Sequence, residues 1–230
     1  MRLKVVSWNI RKAVGLDWRR DPARVLDVLA TLDADVALLQ EADKRLHPRP
    51  PALPEAMMRA AGWTWLDADP LTPSIGHHGN AVLLRPGLRV TAYRALDLRG
   101  LEPRGAVLAR VEGPRGALTL GALHLGLRAT DRRRQIAQVV AAATDFAGPV
   151  LLAGDTNEWR QGGLPLPPGW RDLAPGNSFH AARPLLSLDR FLLGPGVTSL
   201  GHGVLPPASA RRASDHLPIW IAVDTAQTPA

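Results

Sequence analysis

The sequence contains no cysteine, and this absence excludes disulfide bonds and thiolate metal sites. A bound metal would need carboxylate, amide or imidazole ligands, which favours hard cations such as Mg²⁺. Long apolar runs are also missing, because residues 139–154 are interrupted by Asp145, Gly148 and Pro149 and a membrane helix needs about 20 apolar residues. The first residues lack the apolar core and cleavage site of a signal peptide. We therefore expect a cytoplasmic protein with no stable membrane insertion.

Lysine is scarce, occurring only at positions 4, 12 and 44, yet abundant arginine gives a formal net charge of +7. This charge would attract a polyanion such as nucleic acid or an anionic lipid surface. Abundant Arg, Ala, Gly and Pro also fit a GC-rich coding bias, so the charge alone does not identify a partner. A chain of 230 residues with 46% hydrophobic residues can form one large domain or two small ones. Because no repeat or Gly/Ser linker divides it, we predict a single domain over residues 1–230.

The apolar pattern predicts strands alternating with helices. Residues 3–8 and 36–40 predict strands, and Asp21 before Pro22 predicts the start of a helix between them. Consecutive strands follow up to residue 125, and then a long helix capped by Thr130 with its arginine run directed outward. Further strands are predicted at 150–154, at 188–193 and near the end of the chain. Two strand-rich halves, each with helices, predict an α/β fold of two packed sheets with helices outside.

Polar side chains recur where these predicted strands end. Any one of them could be an ordinary loop residue or a cap, but six separate strand ends with such residues favour a functional site along one edge of the scaffold. The most informative is Asp189, because a carboxylate within a buried strand needs a partner such as histidine. The polar positions are Ser7 and Asn9, Gln40 and Glu41, His124, Asp155 and Asn157, Asp189, and Asp215 with His216.

The ordered set of motifs WN, LLQE, HL, GDTN, LDRFLL and SDHLP resembles the endonuclease/exonuclease/phosphatase superfamily. The resemblance runs from about Leu3 to Val223, and the chain is similar to small bacterial members. It implies a four-layered α/β/β/α sandwich with two mixed sheets, which hydrolyses phosphoesters with Mg²⁺ or Mn²⁺. Since pancreatic deoxyribonuclease, sphingomyelinases and inositol polyphosphate phosphatases share this scaffold, the fold does not settle the substrate.

The resemblance also implies roles for individual residues. Glu41 would be the principal metal ligand, with Asn9 and Asp215 completing or orienting the coordination shell. Asp189 would pair with His216, which would act as general base or hold the phosphoryl group. The remaining implied roles are a water-activating carboxylate for Asp155, a phosphate-contacting amide for Asn157, a leaving-group donor for His124 and a phosphate contact for Arg104.

Three function hypotheses remain open at this point. We favour a divalent-metal-dependent phosphodiesterase with nuclease-like activity on DNA or RNA, acting as a monomer. The first alternative is a phosphatase or phospholipase-like hydrolase of a lipid head group or a small phosphoester. The second is a non-catalytic binding protein on the same fold, which the complete set of acidic and histidine residues disfavours.

Several other polar residues are interpreted as ordinary surface groups. Glu158 is expected to be a surface charge, and the run from Arg132 to Arg134 a solvated helix face. The adjacent His77 and His78 lie in a glycine-flanked loop and are expected to be exposed to solvent.

Overall fold

The computed structural model describes residues 1–44, 48–72 and 74–225. These residues form twelve strands in two six-stranded sheets, with helices on the outer faces. The strands are β1 Arg2–Asn9, β2 Val36–Gln40, β3 Thr64–Trp65, β4 Ala81–Leu84, β5 Arg89–Leu98, β6 Arg104–Gly113, β7 Gly116–His124, β8 Val150–Asp155, β9 Arg171–Leu173, β10 Asp189–Leu193, β11 Val197–Val204 and β12 Ile219–Thr225. The α-helices are α1 Pro22–Leu32, α2 Glu55–Ala60, α3 Ala129–Thr144 and α4 Pro207–Ala210, and a 3₁₀ turn spans Arg11–Ala13.

Each sheet mixes parallel and antiparallel pairs. The first has the order β11-β12-β1-β2-β4-β3, and the second has the order β5-β6-β7-β8-β10-β9. The parallel pairs are β1 with β2, connected through α1, and β7 with β8, connected through α3. The predicted fold class is therefore confirmed: two mixed sheets pack together and helices cover their outer faces.

Three apolar layers hold these elements together, because the central strands are buried on both faces. Val5 and Leu38 point between the sheets, whereas Val6 and Leu39 pack beneath α1. In the second sheet, Leu151 points between the sheets and its neighbour Leu152 packs beneath α3. The alternation of side chains along a strand thus fills a layer on each side. No helix in the described part of the chain is long and apolar enough to cross a bilayer.

Helix α3 differs from the sequence prediction in two respects. Its N-cap is Arg128, which makes no side-chain cap hydrogen bond, so the predicted cap at Thr130 is wrong. Arg132 is also not solvated, since it is only 6% exposed and its Nη2 lies 2.8 Å from Glu158 Oε2. Glu158 is likewise 5% exposed, so its interpretation as a surface charge is wrong. A buried guanidinium needs a carboxylate partner, and Glu158 is that partner for Arg132.

Candidate active site

A buried polar network lies where β7, β8 and β10 meet the ends of neighbouring strands. In this register His124 at the end of β7 is opposite Asp155 at the end of β8, and Asp155 is opposite Asp189 at the start of β10. The backbone pairing therefore places two carboxylates and an imidazole side by side. None of the three is more than 4% exposed.

Asp155 is the centre of this network. Its Oδ2 accepts a hydrogen bond from Asn9 Nδ2 at 3.0 Å, which joins the end of β1 in the first sheet to β8 in the second. The same oxygen lies 3.3 Å from His124 Nε2 and 3.6 Å from His216 Nε2. One carboxylate oxygen thus faces two imidazoles and an amide.

His216 is held as the partner of Asp189. Its Nδ1 lies 2.8 Å from Asp189 Oδ2, and the same oxygen accepts a hydrogen bond from Ser178. Desolvation opposes the charged ring, but the carboxylates of Asp189 and Asp155 outweigh it and raise the pKa of His216 to about 10. His216 is therefore an imidazolium at neutral pH, with Nε2 directed toward Asp155.

His124 is in the opposite protonation state. Burial lowers its pKa to about 3, and the charge of Arg104 acts in the same direction against the attraction of Asp155. Arg104 Nη1 lies 3.1 Å from His124 Nδ1. Because a guanidinium can only donate, Nδ1 is the acceptor and the proton of the neutral ring lies on Nε2, toward Asp155.

A cavity of about 120 Å³ opens beside this network. Three basic and two acidic side chains give its lining a small net positive charge, which suits an anionic ligand. Glu41 and His124 both line this cavity. The lining residues are Lys12, Glu41, Asp43, Arg49, His78, Pro103, Arg104 and His124.

The two predicted acidic metal ligands each contact a basic side chain. Lys12 forms a short ion pair with Glu41, and Arg11 Nε lies 3.4 Å from Asp215 Oδ2. Asn9 Oδ1 accepts a hydrogen bond from the backbone N–H of Arg11 at 3.1 Å. Both carboxylates therefore already stabilise a positive charge. Glu41, Asp215 and Asn9 would each offer an oxygen atom as metal ligand, as a hard divalent cation requires.

The backbone around these ligands adopts conformations that are uncommon for residues other than glycine. Arg11, Lys12 and Ala13 have φ values of 46°, 57° and 58°, and Glu41 has a φ of 51°. Such conformations each cost free energy and persist only where the surrounding structure fixes them. They turn the chain sharply after β1 and β2 and direct Lys12 and Glu41 toward each other.

Asn157 has a φ of 51° and lies at the edge of the network. Its backbone N–H donates to Asp155 Oδ1 at 3.0 Å, and its Nδ2 donates to the carbonyl of Leu125 at 2.9 Å. These bonds fix the loop after β8 against the end of β7. The phosphate contact expected of Asn157 stays a prediction.

The structure thus brings Asn9, His124, Asp155, Asp189 and His216 into one network, with Arg104 attached through His124. Glu41 shares the cavity with His124, and Asp215 lies against Arg11. Sequence reasoning missed Lys12 and Ser178. The scarcity of lysine in an arginine-rich chain could have drawn attention to Lys12, whereas no feature of the sequence pairs Ser178 with Asp189.

The chain is similar to known proteins along nearly its whole length. The profile of the Endonuclease/Exonuclease/phosphatase family matches residues 6–216. The chain belongs to this family. Members of the Endonuclease/Exonuclease/phosphatase family are phosphoester hydrolases, and they depend on a divalent metal.

Individual relatives cover nearly the whole chain. The protein YbhP of Escherichia coli (strain K12) is 30% identical over 240 residues, which cover 94% of both chains. D. rerio TDP2, solved with a single-strand DNA product, has a TM-score of 0.75 at 21% identity and covers 97% of this chain and 99% of its own. The mannosyl-6-phosphatase Bt3783 of Bacteroides thetaiotaomicron has a TM-score of 0.72 at 18% identity, and the match covers 96% of this chain and 99% of the phosphatase chain. These two solved structures share the fold of the family.

Proposed function

We propose that this protein is a divalent-metal-dependent phosphodiesterase that cleaves nucleic acid, with Asp155, His124 and His216 at the reacting phosphate. The observation that carries this proposal is the convergence of a neutral and a cationic imidazole on one carboxylate oxygen, Asp155 Oδ2. Such a group can orient a water molecule, donate to a phosphate oxygen and stabilise the negative charge of the transition state.

Each side chain has a role that follows from its partners. The Asp155 carboxylate, oriented by Asn9 Nδ2, accepts a proton from the attacking water. His216, held as a cation by Asp189, donates from Nε2 to a phosphate oxygen. His124 carries its proton on Nε2 and, as a neutral ring, is suited to donate a hydrogen bond to the leaving oxygen, and Arg104 holds it in this tautomer.

Glu41, Asp215 and Asn9 fit Mg²⁺ or Mn²⁺ because they offer only oxygen ligands. When bound, such an ion would polarise the phosphoryl group and neutralise its developing charge. Lys12 forms an ion pair with Glu41.

The choice of a nucleic acid as substrate is supported by the formal net charge of +7 and by the basic lining of the cavity. D. rerio TDP2, with the same fold, was solved with a single-strand DNA product. A second candidate substrate is a small phosphomonoester, because a cavity of about 120 Å³ that includes Lys12, Arg49 and Arg104 could enclose a terminal phosphate dianion.

The hydrolase proposal is tested with bis-p-nitrophenyl phosphate, in the presence of Mg²⁺ or Mn²⁺ and after chelation. We expect Asp155→Asn and His216→Gln each to lower kcat by about 100-fold or more, because each loses a group acting at the phosphate. His202→Gln changes an exposed histidine on β11 and is the matched control, expected to retain activity. Wild-type rates in both site variants, or undiminished turnover without metal, would contradict the proposal.

The substrate is tested by comparing plasmid DNA, single-stranded DNA and RNA with p-nitrophenyl phosphate and sugar phosphates. Cleavage of a polynucleotide at a rate that Asp155→Asn abolishes is the expected result. Rapid turnover of monoesters with intact polynucleotides would instead select the phosphatase candidate.

A further inference from the structure

A second cluster of metal-binding side chains lies at the rim of the cavity, built on the tight turn before β4. The turn is closed by reciprocal hydrogen bonds between the backbones of His77 and Asn80. His78 has a φ of 47° and Gly79 a φ of 79°, as in the tight turns of β-hairpins. Asn80 Nδ2 donates to the carbonyl of Gly105 at 2.9 Å, which anchors the turn to β6.

This turn brings two adjacent histidines to the same carboxylate. Side chains of adjacent residues point to opposite sides in an extended chain, whereas here His77 Nε2 and His78 Nε2 lie 2.9 Å and 3.0 Å from Asp97 Oδ1. The expectation that both histidines are exposed is wrong, since their side chains are only 15% and 22% exposed. Asp97, on β5, is 77% exposed and keeps one side of the cluster open to solvent.

The three ligand atoms are spaced as a metal site requires. A nitrogen or oxygen ligand lies about 2.0 Å from Zn²⁺, so two ligands of a tetrahedral site are about 3.3 Å apart. In this cluster, one ligand atom from each residue lies within 4.8 Å of the others. Small side-chain adjustments therefore suffice to place an ion between them.

The histidines also have the supporting contacts of a metal site. Asp69 Oδ2 lies 3.7 Å from His77 Nδ1 and itself accepts a hydrogen bond from Thr72 Oγ1 at 2.9 Å. A carboxylate behind a histidine is the arrangement that commonly orients metal ligands.

The Arg49 guanidinium lies 3.4 Å from His78 Nδ1, and an ion on Nε2 would displace it, because Nδ1 would then carry the proton. Arg49 keeps a stronger partner, since its Nη2 lies 2.9 Å from Asp43 Oδ2.

We propose that His77, His78 and Asp97 form a binding site for a transition-metal ion such as Zn²⁺, separate from the proposed Mg²⁺ site at Glu41. Two imidazoles and one carboxylate are ligands that suit Zn²⁺ better than Mg²⁺. Water fills the remaining positions, because Asp97 is open to solvent. His78 also lines the cavity that contains Glu41, so the ion would add positive charge at the entrance to that cavity.

The site is tested by titrating metal-free protein with Zn²⁺ in excess Mg²⁺, using calorimetry, and with Co²⁺, using its visible absorption. His78→Asn removes the imidazole but retains a residue that accepts a positive φ, and Asp97→Asn changes an exposed carboxylate. We expect each variant to weaken Zn²⁺ binding by more than about tenfold and to lose the Co²⁺ absorption of a histidine-ligated ion. His202→Asn, in an exposed histidine, is the matched control and should bind as the wild type does.

Two results would overturn the proposal. One is a Zn²⁺ affinity that is the same in the wild type, His78→Asn and Asp97→Asn, or no Zn²⁺ binding at all. The other is a loss of Zn²⁺ in His216→Asn alone, which would place the ion at the cluster of Asp155, Asp189 and His216. A thermal unfolding transition within the wild-type range shows that Asp97→Asn is folded, so an unchanged affinity in that variant counts against the site. None of these readouts depends on catalytic activity.

Discussion

His124 and His216 face the same carboxylate oxygen, yet their surroundings shift their pKa values in opposite directions. His216 lies between Asp189 and Asp155, and two negative charges outweigh the cost of burying the cation. His124 has one carboxylate on one side and the Arg104 guanidinium on the other, so burial dominates and the ring is neutral. Opposite shifts in adjacent titratable groups are a common feature of catalytic sites, because they separate proton donors from acceptors.

The raised pKa of His216 predicts how the stability of the protein depends on pH. A histidine with a pKa of 6.5 when unfolded and about 10 when folded stabilises the native state fully below pH 6.5. That contribution is lost as the pH rises through about 10, because the folded ring then deprotonates. We therefore expect the free energy of unfolding to fall between these pH values, and His216→Gln to remove this part of the decrease.

Urea denaturation at a series of pH values measures this effect as the difference between wild type and variant. Titration of groups distant from His216 is common to both proteins and cancels in that difference. His202→Gln should follow the wild-type curve. Parallel curves for wild type and His216→Gln would show that Asp189 does not hold His216 as a cation.

At the level of elements, the contact between β7 and β8 positions His124 against Asp155. Gly154 pairs with Leu123 one residue before this pair, and a Cβ at Gly154 would lie 1.8 Å from the Leu123 carbonyl oxygen. The glycine of the GDTN motif is thus required by the close approach of two strands. It lets the carboxylate that follows it reach the imidazole on the neighbouring strand.

Gly154→Ala is predicted to force these strands apart. We expect the free energy of unfolding to fall by about 3 kcal/mol, because the added methyl group meets backbone that cannot rotate away. Activity of the remaining folded protein should also fall, since the His124–Asp155 pair is displaced. Gly201→Ala is the matched control within a strand, where the nearest atom lies 3.8 Å away. Equal stability of the two variants would contradict this account of Gly154.

Most strands and the main helices could be predicted because their signals are local, whereas β3, β9 and β11 were not predicted. Alternating or continuous apolar residues mark β1, β2 and β8, and the Asp21 cap, whose side chain accepts from the N–H groups of Ala23 and Arg24, marks the start of α1. Contacts between distant residues leave no such pattern. In the sequence, Arg132 is one of three consecutive arginines that suggest a surface, but the loop after β8 places Glu158 beside it. The pairing of Ser178 with Asp189 likewise arises only when the chain folds.

At the scale of the whole molecule, the network lies where the two sheets meet. Asn9 belongs to the first sheet and Asp155 to the second, and the hydrogen bond between them joins the two halves at the site. The proposed metal ligands Asn9 and Glu41 come from the ends of strands in the first sheet, whereas His124 and Asp155 come from the second. Relative movement of the sheets would therefore separate the metal ligands from the proposed proton donors and acceptors.

The net charge of +7 predicts how activity responds to salt if the substrate is a polynucleotide. Neutralising two phosphates of a single strand gives log binding constant against log salt a slope of about −1.4, so raising the salt from about 50 mM to about 200 mM should weaken binding about sevenfold. The KM for single-stranded DNA should rise accordingly, while the KM for bis-p-nitrophenyl phosphate should change little, because that substrate carries one charge.

Steady-state kinetics at both salt concentrations measure this, and a Lys12→Gln or Arg49→Gln variant should reduce the slope of log KM against log salt. An equal response of both substrates would mean that the positive surface does not bind a polyanion and would favour the small phosphomonoester as substrate.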